Sequence, residues 1–300
     1  MRILVTGSSG LVGSALVEKL LSQGHSISRL VRRKADASKG EAYWNPEGGS
    51  VDKTGLAELR PEVVINLAGE NIASGRWTAE RKRKIRDSRV HGTRALADTL
   101  AHLETPPKAF LCASAIGYFG SRGDERLDEA SIPGEGFLAE VCEEWESSAE
   151  PAAKAGIRTV NLRIGVILSP KGGALKKMLL PFKLGLGGVI GSGKQYMSWI
   201  ALDDVVGILD FAIQNASLQG PVNAVAPNPV TNKEFTKTLG RVLWRPTCLP
   251  MPASTARMVF GEMADELLLA STRVEPAKLR QAGYAFQYPD LKAALRHLLK

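Results

Sequence analysis

Cysteine is scarce in this chain, and the little there is excludes two whole classes of small-protein architecture. Cys112, Cys142 and Cys248 are odd in number, widely spaced and free of any CxxC, which argues against a disulfide framework and against a zinc site. Two of them fall in apolar segments, where a small buried hydrophobe is all that is required. A reducing cytoplasm is the expected setting. No apolar stretch approaches the ~18 unbroken positions of a membrane span, so no membrane partner is expected. The opening MRILVTGSSG enters a strand and a glycine loop at once, without the basic, apolar and small-residue succession of a secretory signal. His25, His91 and His102 have no visible serine or carboxylate partner, so a hydrolase triad has no support, and no metal site is expected.

The formal net charge of +8 admits acidic partners. Its densest run is Arg81-Lys82-Arg83-Lys84-Ile85-Arg86, followed by Arg89 and Arg94. Such a run, taken alone, is most often a solvated helix face. No zinc finger, basic zipper or aromatic RNA-binding signature accompanies it, so nucleic acid is not an expected partner.

What the chain does have is alternation. With 300 residues, 44% of them apolar, it has enough material for one large domain and a smaller lobe. Strand and helix periods alternate from the start, the pattern of a parallel sheet covered by crossover helices. Strands are predicted at 2–6, 26–31, 62–67, 109–113 and 158–164, and helices at 11–23, 78–103 and 137–155. Past residue 168 the rhythm loosens. A glycine-rich stretch from Gly185 to Gly193 precedes a predicted strand at 197–201, and Thr231-Asn232-Lys233-Glu234 fits a capping box opening a helix to about Leu243. The predicted fold is α/β: a Rossmann doubly wound parallel sheet at 1–168, to which segments near 197–226 return, and a smaller C-terminal substrate-side lobe made mainly of 169–300.

The strongest motif is Thr6-Gly7-Ser8-Ser9-Gly10-Leu11-Val12-Gly13, between the first strand and the first helix. One glycine permits the tight turn, a second lets backbone amides approach a pyrophosphate, and the third lets helix pack on strand. The helix start, from Ser9 through Leu11 and Val12, then offers free N–H groups to the anion. The spacing TGxxGxxG, rather than GxGxxG, resembles the extended short-chain dehydrogenase/reductase and epimerase class. Further resemblances run down the chain: Asn66-Leu67-Ala68-Gly69 to that class's NxAG element, Ser88-Arg89-Val90-His91-Gly92-Thr93 to NVxGT, Arg163-Ile164-Gly165-Val166-Ile167 to LRxxxVYG, and Trp199 to Val205 to FIHVDDV. The segments from Asn66 to Asn71 and from Leu180 to Gly188 look like the atypical "epimerase family protein" branch, which ends in a small uncharacterised domain. The resemblance implies that Leu67, Ala68 and Gly69 lie under the adenosine half of a dinucleotide and that Ile167 lies near the nicotinamide.

An NAD-selective site places a carboxylate at the end of the second strand, about twenty residues past the loop. Here that strand ends in Arg32 and Arg33, and a guanidinium there can fork onto a 2′-phosphate. The expected cofactor is therefore NADP(H), with Arg32 as main contact and Arg33 beside it. Arg89 shares a helical stripe with Ile85, Gly92, Leu96 and Leu100, so it needs a cofactor contact or an internal salt bridge. Lys84, one turn earlier, is a further cofactor candidate or a solvated side chain. Gly188 to Gln195 nearly spells a P-loop, but Gln195 stands where a Ser or Thr must hold magnesium. A flexible loop beside the substrate cleft is expected there, with Lys194 a candidate anion contact.

The resemblance also implies a catalytic tyrosine with a lysine four residues on. This chain has Phe137 and Val141 at those places, and neither moves a proton. Ser114 keeps a serine position at the end of the fifth predicted strand, either for substrate or bonded to backbone, and Tyr118 is a catalytic candidate or a packing residue. Two readings follow: an NADP(H)-dependent oxidoreductase or epimerase on a small hydroxylated or sugar-like substrate with a rebuilt acid–base set, or a sensor or scaffold that binds the dinucleotide without turning it over. Either is compatible with a homodimer.

Overall fold

A computed structural model describes every residue, Met1–Lys300. The first half alternates β1 (Arg2–Thr6), α1 (Leu11–Ser22), β2 (Ser26–Val31), β3 (Glu41–Asn45), β4 (Ser50–Val51), α2 (Lys53–Leu59), β5 (Val63–Asn66), α3 (Ala79–Ala101), β6 (Ala109–Ala115) and α4 (Phe137–Ser147). Later strands Arg158–Ile164 and Gly220–Ala224 complete an eight-stranded sheet. Its order is Gly220–Ala224, Arg158–Ile164, β6, β5, β1, β2, β3, β4, and only β4 runs antiparallel to its neighbour. The order reverses at β1, flanked by β5 and β2, which opens a crevice beyond the strand ends there.

Period two explains both faces of the sheet. Ile3 and Val5 pack with Leu16 and Leu20 of α1 and Val205 and Leu209 of helix Leu202–Gln214, while Leu4 and Val64 pack with Leu96 and Leu100 of α3. Helices thus cover both faces, the doubly wound arrangement. A separate core lies beyond the sheet, where helices Gly173–Lys183, Asn232–Leu243 and Leu291–Leu299 bury Leu179, Phe182, Phe235, Leu239 and Leu295. The capping box at Thr231 and Glu234 forms.

The elements differ from expectation in several places. The predicted strand at 197–201 is two short strands, Tyr196–Met197 and Trp199–Ala201, paired outside the large sheet with Val230–Thr231 and Val166–Leu168. The predicted helix at 137–155 is two helices, α4 and Glu150–Lys154, because Pro151 lacks the amide that would continue the first. The region between β2 and β5 holds a strand that the reading passed over: in β3, Ala42 and Trp44 are buried while Tyr43 and Asn45 face out.

A chain of buried polar groups joins four elements. Thr6 Oγ1 donates to Asn66 Oδ1 (2.7 Å), Asn66 Nδ2 donates to Thr93 Oγ1 (2.8 Å), and Trp145 Nε1 donates to the same Thr93 oxygen (2.9 Å). Removing the shared acceptor leaves two buried donors unmet. Thr93→Val is expected to lower unfolding free energy by about 1–3 kcal/mol; a denaturant midpoint unchanged at constant m-value contradicts this.

Candidate functional site

The glycine loop is shaped by contacts that no side chain could survive. Gly7 has φ +64°, and a Cβ there would stand 2.8 Å from the Leu67 carbonyl. At Gly13 a Cβ would meet the Gly7 oxygen at 2.2 Å. Thr6 Oγ1 accepts from the amides of Leu67 (3.1 Å) and Ala68 (3.2 Å), which fixes the NxAG segment beside the loop. Helix α1 starts at Leu11 with no side-chain cap and no acidic residue in its first turn. Its first amides and the positive end of its dipole are therefore open to an anion. Val12, Leu67 and Ile167 pack on the core beneath, and Leu11 closes on Gly172, 3.3 Å from where a Cβ would be.

A cavity of about 1010 Å³ opens on this loop. Gly7, Ser9 and Gly10 form one wall, Leu67, Ala68 and Gly69 another, and Arg29, Arg32 and Arg33 the end beyond β2. The arginines are not equivalent. Arg33 forks onto Glu41 (2.8 and 2.6 Å), a carboxylate of β3 that also accepts the Asp36 amide. The Arg33 hydrogen bond holds Glu41 below the usual carboxylate range, so a charge that would repel a phosphate is neutralised in place. Lys39 is paired with Asp36 at 3.0 Å. Arg32 and Arg29 line the cavity with no side-chain hydrogen bond or ion pair inside the chain. Sequence reasoning missed Arg29 and Glu41; the signal for Arg29 was a further cation in the strand that leads into Arg32 and Arg33.

Two expected cofactor residues do not line the cavity. Lys84 is ion-paired with Glu80 (2.9 Å) on the exposed face of α3 and does not line the cavity, because the i, i+4 carboxylate is nearer than any other anion. Arg89 lies under Gly69 and donates to the carbonyls of Glu70 (3.1 Å) and Ile85 (3.0 Å), with its guanidinium 5.0 Å from the Trp145 ring centre. Burial pulls its pKa down. Its inward charge is met by carbonyl oxygens instead of the carboxylate foreseen as the alternative.

At the end of β6, Ser114 is buried and donates to Glu146 Oε1 of α4 (2.7 Å). Arg163, on the adjacent strand and 3% exposed, forks onto the same carboxylate at 2.8 and 2.9 Å. The Arg163 guanidinium stacks 3.4 Å from the ring centre of Tyr118, in the short turn Ile116–Phe119. Burial raises the Tyr118 phenol while the Arg163 charge opposes it, so the group holds its proton at neutral pH. The arrangement suits an acid. Phe137 packs edge-on against Trp77, 5.3 Å between centres, and Val141 is buried. The first amides of α4, from Phe137 and Leu138, donate to Glu266 (3.2 and 3.3 Å), a carboxylate supplied from far along the chain. In the P-loop-like segment, Gln195 Nε2 donates to the carbonyls of Ile190 (3.0 Å) and Leu268 (3.1 Å), and Lys194 has no ionic partner. Arg122, another cation near this edge, is paired with Glu125 at 2.9 Å.

Residues 3–225 match the NAD dependent epimerase/dehydratase family, and residues 251–298 match a domain of unknown function (DUF1731). An epimerase family protein of Mycobacterium bovis is 45% identical over 293 residues, 98% of this chain and 96% of its own. Epimerase family protein YfhF of Bacillus subtilis is 37% identical over 303 residues, 100% of this chain and 98% of its own. The crystal structure of human epimerase family protein SDR39U1 (isoform 2) with NADPH superposes with a TM-score of 0.89 at 34% identity, covering 99% of both chains. UDP-N-acetylglucosamine 4-epimerase from Bacillus cereus, at 15% identity and a TM-score of 0.76, shares the fold.

The glycines separate binding from folding. A Cβ at Gly10 meets only the Gly7 oxygen, at 3.2 Å, so Gly10→Val should keep the thermal midpoint within a few degrees and abolish NADPH binding in a fluorescence titration. Gly13→Ala should lose both. Normal binding by Gly10→Val would mean that the loop is only structural.

Proposed function

The chain belongs to the NAD dependent epimerase/dehydratase family, and from that membership we propose that it binds NADP(H) and acts as an oxidoreductase or epimerase on a small hydroxylated or sugar-like substrate. The observation that carries the cofactor choice is Arg32, unpaired at the mouth of the glycine-loop cavity beside a Glu41 already neutralised by Arg33. The residues fit the cofactor. Gly7 to Gly13 and the open start of α1 would receive its pyrophosphate, Leu67 to Gly69 would underlie the adenosine half, and Arg32, with Arg29 alongside, would take the 2′-phosphate. When bound, the nicotinamide supplies hydride transfer.

The chain's own contribution is positioning and a proton. Tyr118 is held against Arg163, which Glu146 holds in turn from α4, and its phenol is protonated at neutral pH. We assign it the role of proton donor to a substrate oxygen, the task that Phe137 and Val141 cannot perform. Ser114 donates to Glu146 and keeps its remaining lone pairs for a polar contact. One observation favours the second reading, a dinucleotide sensor: the positions of the usual tyrosine and lysine are a ring against Trp77 and a buried valine. A small-molecule substrate and a reducing cytoplasm, where the three free cysteines stay reduced, belong to the same proposal.

Arg32→Glu should weaken NADPH by about ten- to a hundredfold, as expected for a charge-assisted bond to phosphate, and leave NADH nearly unchanged; equal losses in parallel titrations refute the 2′-phosphate role. With a substrate identified by a metabolite screen, Tyr118→Phe should retain NADPH affinity and lose about two to four orders of magnitude in turnover. A wild-type rate would move the acid to Ser114, a water or the substrate itself.

A further inference from the structure

The C-terminal half presents a face of unusual composition. Residues 171–202 and 235–261 together hold nine lysines and arginines and no aspartate or glutamate. Of the nine, only Arg257 meets a carboxylate, Asp265. The same two segments carry seven of the eleven large hydrophobic residues that stand exposed: Leu180, Leu184, Leu186, Trp244, Leu249, Met258 and Val259. The coincidence matters because isolated exposed hydrophobes are ordinary, whereas a cluster of them inside a one-signed field is a binding surface.

The two segments are stitched into one surface. Arg245 Nε donates to the Lys183 carbonyl at 2.8 Å, and the amides of Gly191 and Met251 donate to the carbonyls of Met251 (2.9 Å) and Val189 (2.8 Å). Gly188 lies so close to the Leu249 carbonyl that no side chain fits between them. Helix Gly173–Lys183 turns Leu175, Leu179 and Phe182 into the lobe core, which leaves Lys176, Leu180 and Lys183 outward, with Leu184 and Leu186 just past its end. Trp244 is the clearest anomaly. It ends helix Asn232–Leu243 at φ +55°, the left-handed region that costs any side chain with a Cβ, and it is 87% exposed. It takes on backbone strain and gains no packing, and such a residue points to a function outside the fold.

We infer that this face docks on a membrane surface carrying anionic phosphate headgroups, with Trp244, Leu184 and Leu186 reaching to the acyl boundary and Lys176, Lys183, Arg241 and Arg245 at phosphate level. Charge complementarity selects an anionic partner and disfavours a second copy of this chain, which would oppose like charges. Shape selects a bilayer over an acidic protein. The apolar side chains stand out from the surface, Trp244 at 87% and Leu180, Leu184 and Leu186 at 67, 64 and 56% exposure, so a protein would need a recess for each, and a bilayer needs none. Alternating aromatic, leucine and basic side chains are how peripheral proteins hold to the interface. The expectation of no membrane partner rested on the lack of a spanning segment; no helix is long and apolar enough to cross a membrane, and a peripheral contact requires none.

The test is flotation of the NADPH-loaded full chain with phosphatidylcholine vesicles, with and without phosphatidylglycerol. Binding should require phosphatidylglycerol, disappear at high salt and shift tryptophan emission to the blue. Trp244→Gly relieves the left-handed backbone, so its thermal midpoint should hold or rise while vesicle binding falls about tenfold or more. A merely structural tryptophan would not separate these readouts. Leu184→Ser with Leu186→Ser should weaken binding, and Lys176→Glu with Lys183→Glu should abolish it, with NADPH affinity unchanged throughout. No flotation with anionic vesicles, or flotation indifferent to these substitutions, overturns the assignment; polyglutamate bound in place of vesicles would instead make this a protein-docking face.

Discussion

The Thr6 hydroxyl donates to Asn66 and accepts the amides of Leu67 and Ala68, and through these three bonds the glycine loop and the segment opposite it are held as one piece. Gly7 follows directly, pressed against the Leu67 carbonyl at a distance no side chain permits. Asn66 passes the constraint to Thr93 on α3 and from there to Trp145 on α4. In a buried setting each unmet donor is costly, so the network is satisfied as a whole or not at all. The two walls of the cavity are thereby set by the core, before any ligand arrives.

Much of this was legible in the sequence because it depends on local pattern. The glycine spacing, the strand–helix alternation that calls for a covered parallel sheet, and the carboxylate missing after Val31 all follow from period and position. What escaped depends on partners distant along the chain. Nothing near Arg33 announces that Glu41 will occupy both ends of its guanidinium, so Arg33 read as a second phosphate contact beside Arg32. The inward stripe of α3 correctly demanded partners for Arg89, but a helical period cannot distinguish a carbonyl from a carboxylate. Lys84 was decided by its own helix neighbour, Glu80. Strand β3 is short and follows a loop with its own local turn, Asp36 to Gly40, which masked its alternation.

The edge at the end of β6 shows a different logic. Glu146 binds the Arg163 guanidinium through both oxygens and takes the Ser114 hydroxyl as well, all in a site that water barely reaches. A buried pair of this kind is weak evidence for stability, since desolvation offsets most of its attraction, and strong evidence for a fixed geometry. The geometry here is the stacking of Tyr118 on a cation that cannot leave. The tyrosine and lysine of ordinary short-chain reductases stand on one helix, and their spacing is enough to align them. In this chain the corresponding order comes from three elements: β6, strand Arg158–Ile164 and α4.

Glu266 caps α4 across roughly half the chain, and strand Arg126–Leu127 likewise pairs with Arg273–Val274. During synthesis the helix that carries Glu146 emerges long before the carboxylate that completes its first turn. Until residues 266–274 are made, two amides at the start of α4 have no partner and the strand after Tyr118 has no neighbour. Contacts of such long sequence separation are closed late and at high entropic cost. The edge that carries Tyr118 therefore closes only once residues 266–274 have been made, well after the glycine loop and the segment opposite it are complete.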